Sequence, residues 1–364
     1  MKKYILFITS CLVSLGAIAQ DNDPKPITTA TPFLLISSDA RSGGMGEIGV
    51  STSSDAYSLF HNPAKIAFNK NALSIGFNYV PWLRNLTDDI FAGNLSIVNR
   101  YSETASWGVD FKYFSLGSIE FTDDLGQPNG TKNPSEFALS GYYAMKLSEK
   151  FSMSVGLKYI NSNLDIDDSN MTAINSFAVD VSGFYQSDVE SYGDFEGRYR
   201  LGFNIANIGP KVEYTPGAEN FIPTIAKLGG GFDFIFDEYN TLGVNLEFRK
   251  LLVPSSGPES SRGWFEGMFT SLGDRDFSEE LQETNWSLGA EYLYNEAFAV
   301  RAGYFHESEV KGNRQYFTMG AGFKARAFAI DLSYLMNTSD VNNPLENTLR
   351  FSLGIDIGEI FEDY

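Results

Sequence analysis

Cysteine is almost absent from this 364-residue chain: Cys11 is its only one, set in an apolar stretch at the start. The rest of the chain can therefore build no disulfide framework, thiolate metal site or cysteine nucleophile. Histidine is nearly as scarce, with 2 residues, His61 and His306, far apart in sequence. That argues against a histidine metal centre or a His-based triad, and His61 beside Asn62-Pro63 reads as a hydrogen-bonding residue of a folded segment. Basic residues are outnumbered, 27 Lys and Arg against 46 Asp and Glu, for a net charge of −19. A polyanion is a poor partner for nucleic acid, whose binding depends on phosphate neutralisation. Beyond the first twenty residues no run approaches the ~18 apolar residues of a membrane-spanning helix.

Metal and catalytic motifs are missing as well. "LDIDDSN", with Asp165, Asp167 and Asp168, lacks the mid-loop Gly and closing Glu of an EF-hand and reads as a solvated acidic loop. Carboxylates are abundant but none is placed by a motif, so no enzyme activity, cofactor or metal is expected.

What is present starts with "MKKYILFITSCLVSLGAIAQ". Lys2 and Lys3 precede an apolar run, and Ala17-Ile18-Ala19 forms a cleavage site, so residues 1–19 are expected to be a secretory signal peptide and Gln20 the mature N-terminus. Aromatics make up 15% of the chain, with 30 Phe, 19 Tyr and 34 Gly, a composition that favours strands over helices.

From residue 71 the apolar residues recur with period two. In "FSMSVGLKYI" the apolar Phe151, Met153, Val155, Leu157 and Tyr159 alternate with Ser152, Ser154, Gly156 and Lys158. The same pattern carries Leu73/Ile75/Phe77/Tyr79, Trp107/Val109/Phe111/Tyr113, Leu242/Val244/Leu246/Phe248 and Phe328/Ile330/Leu332/Tyr334. A β-sandwich would alternate too. Here, however, the polar faces mix charges of both signs (Asp110, Lys112, Arg200, Glu247, Arg249, Glu291, Arg301, Asp331, Arg350) with glycines, as suits the packed, wet interior of a barrel. Fourteen segments of membrane-crossing length result, joined alternately by tight turns (148–150, 237–240, 295–296, 326–327) and long connections (115–134, 161–175, 209–225, 250–283, 306–315, 337–347). The expected fold class is therefore all-β: a 14-stranded antiparallel transmembrane β-barrel over residues 71–364, with short periplasmic turns, long outer loops and both termini on the periplasmic side.

Upstream, "GGMGEIG" places Gly44, Gly46 and Gly49 in G-x-G-x-x-G spacing. A dinucleotide site needs a strand running into the first glycine and a helix leaving the last. "SSDARSG" intervenes before the motif and Asn62-Pro63 interrupts the segment after it, so the glycines are expected to let residues 20–70 fold tightly as a plug in the lumen.

The block "TPFLLISSDARSGGMGEIGVSTSSDAYSLFHNPAKIAF", residues 31–68, resembles the N-terminal hatch of FadL-like outer membrane barrels, whose Asn-Pro-Ala corresponds to Asn62, Pro63 and Ala64. Together with "YVPWLRNLTDDI" after the first strand and "GAEYLYNEAFAVRAGYFHE" at 289–307, the chain resembles the PorV (LptO) family of type IX secretion. That resemblance implies a non-enzymatic outer membrane component lodged in the lipid bilayer. It would dock on the large translocon barrel (SprA/Sov-like), receive secreted cargo by its C-terminal signal domain, and pass it to a PorU-like sortase complex. The alternative implied by the FadL likeness is a transporter of long-chain fatty acids or other hydrophobic solutes, which would need a greasy lumen.

Candidate contact residues lie in the loops. "GWFEGMFTSL" in the longest one sets Trp264, Phe265, Met268, Phe269 and Leu272 on one face of a short helix, either a lid for the barrel or a grip for cargo. The surrounding acids Glu259, Glu266, Asp274, Asp276, Glu279 and Glu280 would steer a basic cargo surface. Trp82, Leu83 and Arg84, past the first strand, are girdle anchors or further contact residues.

Overall fold

In β1 (Asn71–Pro81), Ser74, Asn78 and Val80 are buried while Phe77 and Tyr79 are exposed, so the period-two alternation becomes an inside and an outside. The computed structural model describes residues 25–83, 87–122, 125, 127–164, 172–255, 262–339, 346 and 348–361. The remaining barrel strands are β2 (Ile90–Arg100), β3 (Ala105–Leu116), β4 (Ser135–Lys146), β5 (Phe151–Asn163), β6 (Ile174–Gln186), β7 (Glu196–Ile208), β8 (Ile225–Ile235), β9 (Asn240–Leu251), β10 (Thr284–Tyr294), β11 (Phe298–His306), β12 (Gln315–Ala325), β13 (Phe328–Asn337) and β14 (Leu349–Ile360). Each pairs antiparallel with its neighbours, and β1 closes on β14 with Ile75 opposite Ile355 and Phe77 opposite Leu353. Closure removes every sheet edge, which is what permits strands to cross a membrane.

All fourteen expected strands are present, with ends differing by a few residues. The long connections carry small ribbons of their own: Ile119–Thr122 pairs with Pro128–Lys132, and Val212–Glu213 with Glu219–Asn220. These segments are extended and satisfy backbone groups by pairing with each other, and Val212 also joins the apolar cluster that holds Phe33 and Leu34.

Outward aromatics gather at both ends of the strands. On the long-loop side Tyr79, Phe91 and Tyr113 follow one another at 5.5 and 6.0 Å, and Phe137, Tyr159 and Phe177 at 6.0 and 5.4 Å. On the short-turn side Tyr185 stacks on Tyr199 at 5.6 Å. Such paired girdles mark the two membrane interfaces.

Residues 30–69 are almost entirely buried. They form a turn of 3-10 helix (Pro32–Leu35), α1 (Ala40–Gly43), α2 (Ser58–His61) and a second 3-10 stretch (Pro63–Phe68). So irregular a segment leaves many peptide groups without backbone partners, and inward hydroxyls of the strands supply them. Ser352 Oγ accepts from Ala40 N at 2.7 Å and Thr318 Oγ1 from Gly46 N at 2.8 Å. Ser96, Ser106 and Ser152 donate to the carbonyls of Ala56, Ile66 and Ala64 at 2.6, 2.9 and 2.7 Å.

The expectation that both chain ends lie on the short-turn side fails for the first described residues. Lys25 N donates to Val310 O at 2.6 Å and Ala30 N to Phe221 O at 2.8 Å, both in long loops. From there the segment runs toward the short-turn end, where β1 begins. Phe33 and Leu34 hold its start by packing with Ile160, Ile174 and Ile222 in an apolar cluster.

Candidate functional site

Two regions concentrate chemistry: the contacts between the N-terminal segment and the strands, and the rim of long loops. In the first, charged side chains of the segment meet inward charges of distant strands. Arg41 forms a bidentate pair with Glu291, Nε to Oε1 at 3.0 Å and Nη2 to Oε2 at 2.7 Å, and reaches Asp55 at 2.6 Å. Glu291 also accepts from Arg301, which continues to Asp331, both at 2.7 Å. Glu47 sits between Arg350 at 2.6 Å and Arg249 at 3.4 Å. Burial alone would raise the Glu47 carboxyl, but these two guanidinium groups outweigh it and hold the pKa at about 2. Burial pulls the Lys65 ammonium down to about 8 against the attraction of Asp55, and its Nζ donates to Gly49 O at 2.8 Å and Thr52 Oγ1 at 2.9 Å. His61 Nε2 lies 2.6 Å from Asp39 Oδ2, and Asp39 also caps α1, its Oδ1 accepting from Ser42 N at 2.7 Å. Burial pushes the imidazole below its ordinary value despite that carboxylate.

The glycine motif follows a helical turn instead of a strand, the reverse of a nucleotide cradle. Gly44 ends α1, and a Cβ there would lie 3.0 Å from Gly320 Cα. Gly46 adopts a φ of +69°, and its Cβ would lie 2.8 Å from Tyr304 O. Gly49 lies against the His61 ring, and its N–H, with that of Val50, donates to Glu247 Oε2 at 2.9 Å. Asn62 Nδ2 bonds Val50 O at 2.9 Å and Gly183 O at 3.0 Å, Pro63 starts the second 3-10 stretch, and Ala64 N donates to Ser182 Oγ at 3.0 Å.

At the rim, α3 (Trp264–Thr270) and α4 (Phe277–Gln282) fill the longest loop. Met268 is buried, and Gly267 lies against Phe221, where a Cβ would come within 2.9 Å of the ring. Trp264, Phe265 and Phe269 face outward, exposed by 36%, 57% and 57%, and stack edge to face at 5.6 and 5.2 Å. The single apolar face read from the sequence is thus divided: Met268 anchors the helix while the three rings stand free. Lys250 and Lys311 tie the loop down, pairing with Glu280 and Glu283 at 2.8 and 2.7 Å and with Glu279 and Glu283 at 3.0 and 2.9 Å. Glu279 and Glu280 are therefore neutralised at the rim, not free to steer a partner, and Glu266 pairs with Arg262. Asp274, Glu280 and Glu283 could together approach a cation, but these lysines already occupy two of the three carboxylates. Trp82 is half-buried, its ring 5.8 Å from Phe114, and Leu83 has a φ of 52°. Arg84, Glu259 and the Asp165, Asp167 and Asp168 cluster lie outside the described residues.

The family model of the type IX secretion system protein PorV matches residues 19–258, well over half of the chain. The chain belongs to the PorV family. Solved barrels resemble it at low identity. A deletion mutant of the monoaromatic hydrocarbon channel TodX aligns with TM-score 0.52 and 13% identity over 86% of this chain and 96% of its own. A Pseudomonas aeruginosa FadL homologue gives 0.46 and 13% over 92% and 99%, and the Ralstonia pickettii toluene transporter TbuX 0.47 and 12% over 88% and 98%. No match emerges among curated proteins. The TodX likeness supports a FadL-type fold, and family and fold together make this an outer membrane β-barrel of the type IX secretion system.

In this PorV-family barrel the structure gathers Gly44, Gly46, Gly49, Asn62, Pro63 and Ala64 in one segment, and Trp264, Phe265 and Phe269 on one helix. It leaves Trp82 apart from that helix, against the β3 end. Sequence reasoning passed over Arg41, Glu47, Asp39 and Lys65. Their signal was isolated charges in a segment otherwise made of small and apolar residues, facing a strand set rich in opposite charge.

Proposed function

We propose that this chain is a non-enzymatic carrier of type IX secretion, with residues 20–70 as a plug and the outer loops as the grip for cargo. It docks on the translocon barrel, receives exported proteins by their C-terminal signal domains and delivers them to the surface attachment complex. The observation that carries this reading is the contrast at α3: three exposed aromatic rings on a helix whose other face is anchored. Large aromatics on a fixed support are the residue type that dominates protein interfaces. The ion pairs joining the N-terminal segment to β9, β10 and β14 support its reading as a plug, since an unplugged polar interior would conduct.

Transport of hydrophobic solutes is the second reading, favoured by the apolar cluster at the long-loop end. Phe33 and Leu34 of the N-terminal segment fill that cluster. Affinity capture of the tagged protein from solubilised membranes separates the two. Co-recovery of a giant barrel and secreted proteins supports the carrier; a lone barrel with bound fatty acid supports the transporter.

A further inference from the structure

Lys158 on β5, Asp180 on β6 and Asn207 on β7 meet inside the wall, on neighbouring strands, and the proposed function makes no use of them. All are buried, at 9%, 3% and 2% exposure. Asn207 is there because β7 breaks its alternation: the register against β6 shifts between Ile205 and Ile208, and Ala206 and Asn207 are both buried. Asn207 takes a φ of 60°, a left-handed backbone that asparagine adopts more readily than most residues. A bulge of this kind re-aims a side chain, and such bulges recur beside reacting groups.

Lys158 Nζ lies 2.5 Å from Asn207 Oδ1 and 3.0 Å from Asp180 Oδ2. A carbonyl bond is about 1.2 Å long, so the carboxamide carbon Cγ is within about 3.7 Å of the amine. That is close to the ~3–3.5 Å from which a positioned nucleophile attacks. The carboxylate is held from both sides: Tyr142 donates to Oδ2 at 2.9 Å, and the backbone N–H of Asn207 to Oδ1 at 2.7 Å. Asn207 Nδ2 donates to Pro223 O at 3.1 Å, so the amide oxygen is the end presented to the lysine. Beside the group a cavity of about 20 Å³, bordered by Tyr142, Lys158 and Asn207, has room for one molecule the size of water.

An amine, a carboxamide and a carboxylate in contact with both, shut away from solvent, are the parts of an amide exchange. We propose that Lys158 and Asn207 join through a side-chain amide bond, formed by the protein itself once folded, with Asp180 as the acid–base group. Asp180 takes a proton from the Lys158 ammonium, and the freed lone pair attacks Asn207 Cγ. The Cγ–Nδ2 bond then breaks as Asp180 relays two protons in all from Nζ to Nδ2, which leaves as an ammonium ion. One ammonium and one carboxamide thus become one secondary amide and one ammonium ion, with no oxidant or co-reactant. Proximity supplies the rate, since well-placed groups of one molecule reach effective concentrations of about 10⁵–10⁸ M. The bond ties β5 to β7 across β6, beside Ile160 and Ala178 of the apolar cluster that holds Phe33 and Leu34.

Tryptic mapping of the purified barrel by tandem mass spectrometry tests this. Trypsin does not cut after an acylated lysine, so residues 151–198 should stay whole across Lys158 and be found joined to 201–211, the pair lighter than its sum by one ammonia. The peptides decide where intact mass would not, because cyclisation of an N-terminal glutamine also sheds ammonia. Recovery of only linear 151–158 and 201–211 overturns the proposal. So does a branch at Asp180, which would lose water in place of ammonia. Asn207→Ala and Asp180→Ala should each restore cutting after Lys158, and a branch from Lys158 to Asn207 in a folded Asp180→Ala barrel would likewise overturn it. The parent chain decides the bond itself, so a variant that fails to fold leaves the test intact, and no outcome depends on cargo or translocon binding.

Discussion

The interior and the rim of this barrel use their side chains in opposite ways. Inside, Arg41 and Glu47 of the N-terminal segment are met by charges of the wall, Asp39, Asp55 and Lys65 by partners within the segment, and hydroxyls of the strands take up its peptide groups. At the rim, Glu279, Glu280 and Glu283 of the longest loop are likewise tied to Lys250 and Lys311, yet the three large aromatic rings of α3, and Phe277 of α4, are left facing solvent. Satisfied groups hold a structure; unsatisfied apolar surface on a fixed support is held for something else. The difference separates residues that make the protein from those that would make the contact.

The interior should therefore respond strongly to substitution. Glu47→Gln removes the carboxylate between Arg350 and Arg249. Arg249 keeps Glu247, but Arg350 is left without its carboxylate. Leaving a buried guanidinium uncompensated typically costs about 3–5 kcal/mol, and a lowered melting temperature with steady conductance in planar bilayers is expected. Gly46→Ala comes next: its left-handed backbone and the Tyr304 carbonyl 2.8 Å from a new Cβ leave no room. Strain of this kind costs on the order of 1–3 kcal/mol, read as a lower yield of heat-modifiable barrel. Gly44→Ala, where the nearest neighbour is 3.0 Å away, should be milder, and neither variant should gain or lose a nucleotide response.

Acid should loosen the same contacts more gently. The Glu47 carboxyl is depressed to about 2 in the folded protein, against about 4.3 in an unfolded chain. Its contribution is fully present above the unfolded value and is lost as the pH falls from there through the folded one. Melting temperature measured from pH 7 downward should hold to about pH 5 and decline below it, with Glu47→Gln flattening that decline. Smallest of all in stability should be the rim: replacing Trp264, Phe265 and Phe269 together by Ser should leave melting within about 0.5 kcal/mol of the parent.

How much of this was legible in the sequence depends on the range of each interaction. Strand alternation is local, so Phe77 and Tyr79 outside and Ser74 and Asn78 inside could be read from four neighbouring residues. The barrel's closure followed from alternating turn and loop lengths. Partner choice across the interior was not legible, because Arg41 and Glu291 are 250 residues apart and any inward acid would have matched the pattern. The direction of the N-terminal segment was misread for a related reason: an even strand number fixes where β1 begins, not where a segment before it starts. On α3, helical spacing alone put Met268 with the aromatics, whereas its burial, like the packing of Gly267 against Phe221 and Pro254, depends on contacts from other parts of the chain.

The most direct measurement is affinity capture with the Trp264, Phe265 and Phe269 triple serine variant, expressed in place of the parent chain. A folded, membrane-inserted barrel is expected that loses co-purifying secreted proteins at least about tenfold, with unprocessed cargo accumulating in the cell. Normal capture and surface attachment of cargo by this variant would contradict it, making α3 a lid and moving the grip elsewhere on the rim, with the loop at 81–90 and its Trp82 the next place to look.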